Sequence, residues 1–258
     1  MKILVCTKQV LDSDVPVEID ASGRWIRLLA NPLYRMNRFD EYALEEALKL
    51  REVFPPSSID ALSVGPPRVA ATVRRALEMG ANEGIHILVQ DEEYRMPFEI
   101  ASLISAYARD KCYDLILTGV MAEDDMQCQV GPILAELLNY PCATSVIFEK
   151  LEPERGVIYV ERETEGGVRE TMEMELPALL TIQSGINRPR YPSLSHVLRA
   201  KSQPPVTLAA ESLKPPPPRE CLVRLVRPEG TRGGVLLTGM PQEKAQRLLQ
   251  LLREKAFL

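Results

Sequence analysis

Residues 59–89, IDALSVGPPRVAATVRRALEMGANEGIHILV, decide the fold class. Ile59–Val64 is a mostly apolar run that suits a strand covered on both faces, and Gly65-Pro66-Pro67 closes it. Behind the prolines Val69, Val73, Ala76 and Leu77 recur at helical spacing, and Gly80 stops the helix. Ile85–Val89 is the next strand. A strand, a helix and a strand in immediate succession make a βαβ unit, whose strands lie parallel.

The same alternation continues outward. Ile3–Cys6 reads as a buried strand, and Asp40 to Glu52 as a helix carrying Ala43, Ala47 and Leu50 on one face, with acids early and Lys49 and Arg51 late. Between them Val17–Asp20 and Trp25–Leu28 flank a Gly-containing turn, a small hairpin. Downstream, Ile100, Leu103, Ile104 and Tyr107 mark a helix, Leu115–Thr118 a fourth strand, and Ile133, Leu134, Leu137 and Leu138 another helix. The pattern predicts an α/β fold with a doubly wound, mostly parallel sheet of Rossmann type. After Pro141 it changes: Ser145–Phe148, Val157–Glu163 and Val168–Met174 read as an antiparallel addition, and Ala178–Gln183 as a return to the main sheet. From Lys201 proline becomes dense, and Pro215 to Pro218 favour an extended polyproline segment. Gln242 to Lys255 form a last helix with Ala245, Leu248, Leu249 and Leu252 along one side. The expected organisation is therefore an α/β domain over residues 1–200 and a proline-rich arm with a C-terminal helix over 201–258. The apolar stripe of that helix must fold back on its own domain or cover a partner chain.

Composition narrows the function classes. The chain has 258 residues, 45 % hydrophobic and 26 % charged, with a net charge of −5. An acidic balance argues against nucleic-acid binding, which needs a basic face. No apolar run nears the roughly 18 residues that span a bilayer, so direct membrane insertion is not expected. The chain opens at once into the strand-like MKILVCTKQV, without the look of a leader segment, and a cytoplasmic location is expected. Cys6, Cys112, Cys128, Cys142 and Cys221 lie far apart, and only His86 and His196 are available as imidazoles, so reduced thiols and no metal site are expected. There is no Gly-x-Ser-x-Gly elbow. His86 sits in a strand, as a buried structural imidazole does, and the Asp124-Asp125 pair suits a cap or solvated charge. No catalytic residue is assigned.

Open parallel sheets bind ligands beyond the carboxyl ends of their strands, at the topological switch point. That rule points to Thr7-Lys8-Gln9 after the first strand, Ser63-Val64-Gly65-Pro66 after the second, and Gly119 to Pro132 after the fourth. The last of these runs into a helix N-terminus, whose free amides and dipole suit a phosphate. Neither Gly-x-Gly-x-x-Gly nor Gly-Lys-Ser/Thr is present. The loop is thus a candidate nucleotide pocket or an ordinary connection capped by Asp124 or Asp125.

A set of motifs in order decides between them: Lys8-Gln9-Val10, Asn37-Arg38-Phe39-Asp40-Glu41-Tyr42-Ala43-Leu44-Glu45-Glu46-Ala47, Ser63-Val64-Gly65-Pro66, Ala76-Leu77-Glu78-Met79-Gly80-Ala81, Gln129-Val130-Gly131-Pro132, Leu176-Pro177-Ala178, and Asn187-Arg188-Pro189-Arg190-Tyr191-Pro192-Ser193-Leu194. Together they resemble the beta subunits of electron transfer flavoproteins, from residue 2 to about residue 201. The resemblance implies an adenine-nucleotide-binding fold of the alpha-hydrolase-like type and an alpha subunit that holds the main FAD. It also implies a C-terminal arm wrapping that subunit in a heterodimer. It places the nucleotide site at Cys6, Asn37, Arg38, Phe39, Asp40, Val64 and at Asp124, Asp125, Met126, Gln127, Cys128, Gln129, Val130, Gly131, Pro132, Ile133 and Leu134. In that site Cys6 and Val64 are expected to line the adenine slot, Asn37 and Gln129 to offer amides, and the backbone of Val130 to Ile133 to face phosphate. A β-branched residue at Gly131 is expected to block that approach.

The chain departs from the family at several positions. Asp124-Asp125-Met126-Gln127 stands where Asp-Gly-Asp-Thr is common, Arg38 where proline is usual, and Cys128 where Asn, Ala or Gly is usual. In single-flavin members the pocket holds AMP; in electron-bifurcating members it holds a second FAD that takes electrons from NADH. Gln129-Val130-Gly131-Pro132 is the version frequent in the bifurcating branch, and Arg38 would neutralise an added phosphate, so FAD is expected over AMP. The stretch from Asn187 to Lys201 matches the family's recognition loop, with Leu194 as anchor and Arg190 and Tyr191 beside it. The implied partners are an acyl-CoA or other flavin dehydrogenase as donor and a quinone-linked or other flavoprotein as acceptor. The expected function is that of a non-catalytic electron-carrier subunit. The alternative, a stand-alone adenine-nucleotide sensor of the stress-protein type, would not need the arm.

Overall fold

A computed structural model of the chain describes residues 1–28, 32–228, 234–255 and 257. Two compact units emerge, Met1–Leu225 and Val226–Leu258. In chain order the early strands of the first are β1 (Lys2–Cys6), β2 (Gln9–Leu11), β3 (Val17–Ile19), β4 (Ile26–Leu28), β5 (Tyr34–Met36), β6 (Ser58–Gly65), β7 (Glu83–Leu88) and β8 (Leu115–Gly119). The later ones are β9 (Cys142–Glu152), β10 (Val157–Glu163), β11 (Arg169–Glu175), β12 (Ala178–Ile182) and β13 (Val206–Ala209). Nine of them form one sheet in the order β11-β10-β9-β12-β8-β1-β6-β7-β13. The helices are α1 (Arg38–Val53), α2 (Ala70–Met79), α3 (Pro97–Ala108), α4 (Val130–Leu138), α5 (Leu194–Ser202) and α6 (Pro241–Glu254).

β1 is central because its run Ile3 to Cys6 is apolar on both faces, and both faces are covered. Ile3 and Val5 pack with residues of α1 and α2 on one side, while Leu4 and Cys6 pack with those of α3 and α4 on the other. From β13 across to β9 every neighbouring pair is parallel. β9 then changes role along its length. Its first residues run parallel to β12, and its remainder pairs antiparallel with β10, which pairs antiparallel with β11. The expected return of Ala178–Gln183 is β12, inserted between β8 and β9. The hairpin of β3 and β4 forms as read.

Four elements, β2, β5, α5 and β13, went unread in the sequence. β2 pairs with β5 in a two-stranded ribbon too short to show a period. α5 occupies residues expected to form part of the recognition loop. β13 lies in the segment assigned to the arm, and residues 201–225 belong to the first compact unit. In the second unit α6 carries the expected stripe, and Leu248 and Leu249 are exposed. Among the described residues, no helix is long and apolar enough to cross a membrane.

Candidate functional site

The chain leaves β1 through α1 to β6 and through α2 to β7 on one side, then crosses through α3 to β8 on the other. The carboxyl ends of β1 and β8 therefore diverge, leaving a fork. Asp40, in the first turn of α1, closes its base. Its carboxylate accepts the Lys8 amide at 2.7 Å from the β1 side and the Gly119 amide at 3.0 Å from the β8 side. Burial pushes the Asp40 carboxyl up to about 7, against the pull of those two amides. Gly119 permits this approach, since a Cβ there would stand 2.7 Å from Phe39 Cβ and closer still to Asp40 Oδ1. Buried Asn37 donates from Nδ2 to the Met121 carbonyl at 2.8 Å and accepts the Glu123 amide at 3.1 Å, pinning the loop after β8.

Above the fork lies a cavity of about 150 Å³. One end is apolar, lined by Cys6, Leu62, Val64, Ile100 and Ile104; burial pushes the Cys6 thiol up, so it behaves as a small apolar side chain. The other end is polar. Lys8 Nζ lies 2.7 Å from Asp124 and 2.9 Å from Asp125. Burial works against the charge of Lys8, but the two carboxylates outweigh it and hold its pKa above the ordinary lysine value. The Tyr94 hydroxyl donates to Asp125 at 2.9 Å and accepts from Gln127 Nε2. Arg95, at the same end, pairs with Asp91 at 2.7 Å and with Glu99, yet its Nε is buried with no partner. α4 opens onto the cavity at Val130 and Gly131. Pro132 has no N–H and the Ile133 amide already donates to Gln129, so the donors facing outward narrow from the expected Val130–Ile133 to the first two amides.

Of the residues that the resemblance named, Cys6, Asn37, Asp40, Val64, Asp125, Gln127, Cys128, Gln129, Val130 and Gly131 line this cavity. Asp124 instead lines a neighbouring cavity of about 650 Å³ that shares Tyr94, Asp125 and Gln127 as its wall. Arg38 is exposed and off the lining, its amide bonded to Glu123, so the cations at the polar end are Lys8 and Arg95. Phe39 packs behind Gly119, Met126 is exposed, and Leu134 is a core side chain; Pro132 and Ile133 also lie off the lining. A Cβ on Gly131 would meet Thr181 Cγ2 at 2.6 Å and Thr118 Oγ1 at 3.0 Å. A larger residue there would thus strike the sheet rather than a ligand, which corrects the expected steric block. Reading the sequence missed Tyr94, Arg95, Pro97, Ile100 and Ile104. The signal was available, because β7 ends on the same edge as β1 and β8, and the carboxyl-end rule names its loop too.

The docking candidates lie elsewhere. Tyr191 is 94 % and Leu194 75 % exposed. Arg190 turns inward, its guanidinium on Glu45 and Glu52 of α1. His86 is the expected structural imidazole, buried with Nε2 2.9 Å from the Gly65 carbonyl. Among the described residues no cluster of three His, Cys, Asp or Glu could hold a metal.

Known proteins match this arrangement. The family model described as "Electron transfer flavoprotein domain" matches residues 30–213. The chain is 34 % identical over 267 residues to "Electron transfer flavoprotein subunit beta" of Bacillus subtilis, covering 99 % of each chain. It is 33 % identical to "Electron transfer flavoprotein subunit beta, mitochondrial" of Arabidopsis thaliana, covering 94 % of this chain and 95 % of that one. Against "Electron transfer flavoprotein subunit beta" of Homo sapiens it is 34 % identical, covering 79 % of each. With its α/β sheet, its fork and its sequence in agreement, the chain belongs to the electron transfer flavoprotein family, among the beta subunits.

Proposed function

We propose that this beta subunit joins an alpha subunit carrying the main FAD and passes electrons from a flavin dehydrogenase, or NADH, to a quinone-linked or other flavoprotein acceptor. Its own contribution is to hold an adenine nucleotide at the fork and to present a docking surface. The observation that carries the nucleotide reading is the polarity of the cavity. An apolar slot of Cys6, Leu62 and Val64 suits a base, while the unpartnered Arg95 Nε and the Val130 and Gly131 amides suit a phosphate at the other end.

Between AMP and FAD, the neighbouring cavity favours FAD. It adjoins the first across Tyr94, Asp125 and Gln127 and is lined by Trp25 and Tyr34, so a nucleotide too long for the first space has aromatic walls beyond it. A bound flavin supplies one- and two-electron chemistry; this chain supplies its walls, its charge balance and its shielding from water. The test is to co-purify the heterodimer and count flavin and AMP. Two flavins per heterodimer support the FAD reading, and one flavin with one AMP supports a structural nucleotide. One flavin with no second nucleotide removes the site.

A further inference from the structure

Tyr191 and Leu194 are large, apolar and exposed, yet the backbone that carries them is held from two sides. On one side Asn187 Nδ2 donates to the Tyr42 carbonyl at 2.9 Å and to Glu46 Oε2 at 2.7 Å. Three residues on, Arg190 meets buried Glu45 through a fork: Nη2 donates to Oε1 at 2.7 Å and Nε to Oε2 at 2.9 Å, while the Arg190 amide donates to Oε2 at 3.1 Å. A second carboxylate, Glu52, takes Nη1. On the other side Ser193 caps α5 by accepting the His196 amide, Arg199 donates to the Ala81 carbonyl at 2.8 Å, and Ala200 is buried.

Arg190 is therefore a poor candidate for a contact with another protein, because each of its three guanidinium nitrogens already donates to a carboxylate of its own chain. A bidentate fork with a third bond to the same carboxylate fixes direction as well as distance. We infer that the Glu45–Arg190 fork is a positioning device that fixes the pose in which Tyr191 and Leu194 meet a redox partner. The inference rests on the docking reading proposed above and adds to it the residues that hold the surface in shape. Holding exposed anchors rigid before encounter lowers the ordering cost of docking and so strengthens binding without adding a contact.

The experiment uses the purified heterodimer with an acyl-CoA dehydrogenase reduced by its substrate. Arg190→Ala alone would leave a buried carboxylate unpaired, so the main variant is Glu45→Met with Arg190→Leu, which removes both charges at similar volume. Amide hydrogen exchange at Arg188, Arg190, Tyr191 and Ser193 should quicken about tenfold or more, reporting local opening. The carrier concentration that half-saturates the dehydrogenase should rise about tenfold, at an unchanged maximal rate and flavin content. Arg190→Lys keeps the charge but not the fork, and should fall between. Leu194→Ala is the control for docking. If it weakens half-saturation while the double variant changes neither exchange nor half-saturation, the positioning role is overturned. If Leu194→Ala also leaves the kinetics unchanged, the docking reading fails, and the fork is an ordinary ion pair.

Discussion

Gly131 on α4 lies so close to Thr181 on β12 that a Cβ on the glycine would stand 2.6 Å from Thr181 Cγ2. The missing side chain is what lets the helix settle onto the strands at the carboxyl edge of the sheet.

Gly131→Ala should therefore destabilise the chain by about 1–3 kcal/mol through overpacking. Thr181→Ser removes the obstructing methyl while keeping the hydroxyl that accepts the Ser145 amide at 3.0 Å. In the double variant most of the lost stability should return, a coupling that thermal or urea unfolding of the single and double variants would measure. Strict additivity would place the strain elsewhere.

Arg95→Gln should weaken nucleotide retention. Loss of a charge-assisted hydrogen bond costs about 1.5–3 kcal/mol, or roughly 10- to 100-fold in affinity. The nucleotide remaining on the heterodimer after gel filtration is the readout, with the flavin of the alpha subunit as an internal standard. Full retention would remove Arg95 from the phosphate end.

Glu149 on β9 faces Glu46 of α1, with Lys49 nearby on the same helix; burial first and the Glu46 charge second push its carboxyl up to about 8, while Lys49 pulls the other way. Its ordinary value is 4.5, so between 4.5 and about 8 the folded chain holds a proton that the unfolded chain has released. Stability should fall as pH rises through that window. Glu149→Gln should flatten the fall and exceed the parent above it, by an amount on the order of 1–3 kcal/mol. Melting temperatures on both sides of the window would decide, and parallel curves for the two proteins would contradict it.

Met126 and Cys128 hold left-handed backbone at φ 51° and 57°. An L-residue there costs about 1–2 kcal/mol, and glycine offsets this only in part because of its own entropy. Met126 is exposed and packs little, so Met126→Gly should stabilise by about 0.5–1 kcal/mol. A drop in melting temperature would mean that the methionine side chain holds the loop.

The sheet was legible because its strands are apolar runs and its helices have one apolar face, both local periodic signals. β2, β5 and β13 were not, for three or four residues carry no period and, unlike β3 and β4, these strands are not flagged by a glycine turn. The fork was legible through the order of strands, and Cys6, Asp40, Val64 and Gly131 followed from family motifs. Arg95 and Tyr94 were not, because their loop follows β7 and carries none of the family motifs. The inward turn of Arg190 was hidden for another reason. Glu45 is 145 positions away in the chain, and an arginine in a basic stretch reads the same whether it faces solvent or a buried acid.

Asp40 bridges the loops that leave the paired strands β1 and β8, accepting one amide from each arm of the fork. A carboxyl whose proton leaves near neutrality thus sits at the seam where the sheet opens for its ligand. Ionised, it offers both oxygens to the two arms; protonated, it has a hydrogen of its own to place and grips them less evenly. The grip on the cavity floor is thus expected to be more even when Asp40 is ionised than when it is protonated.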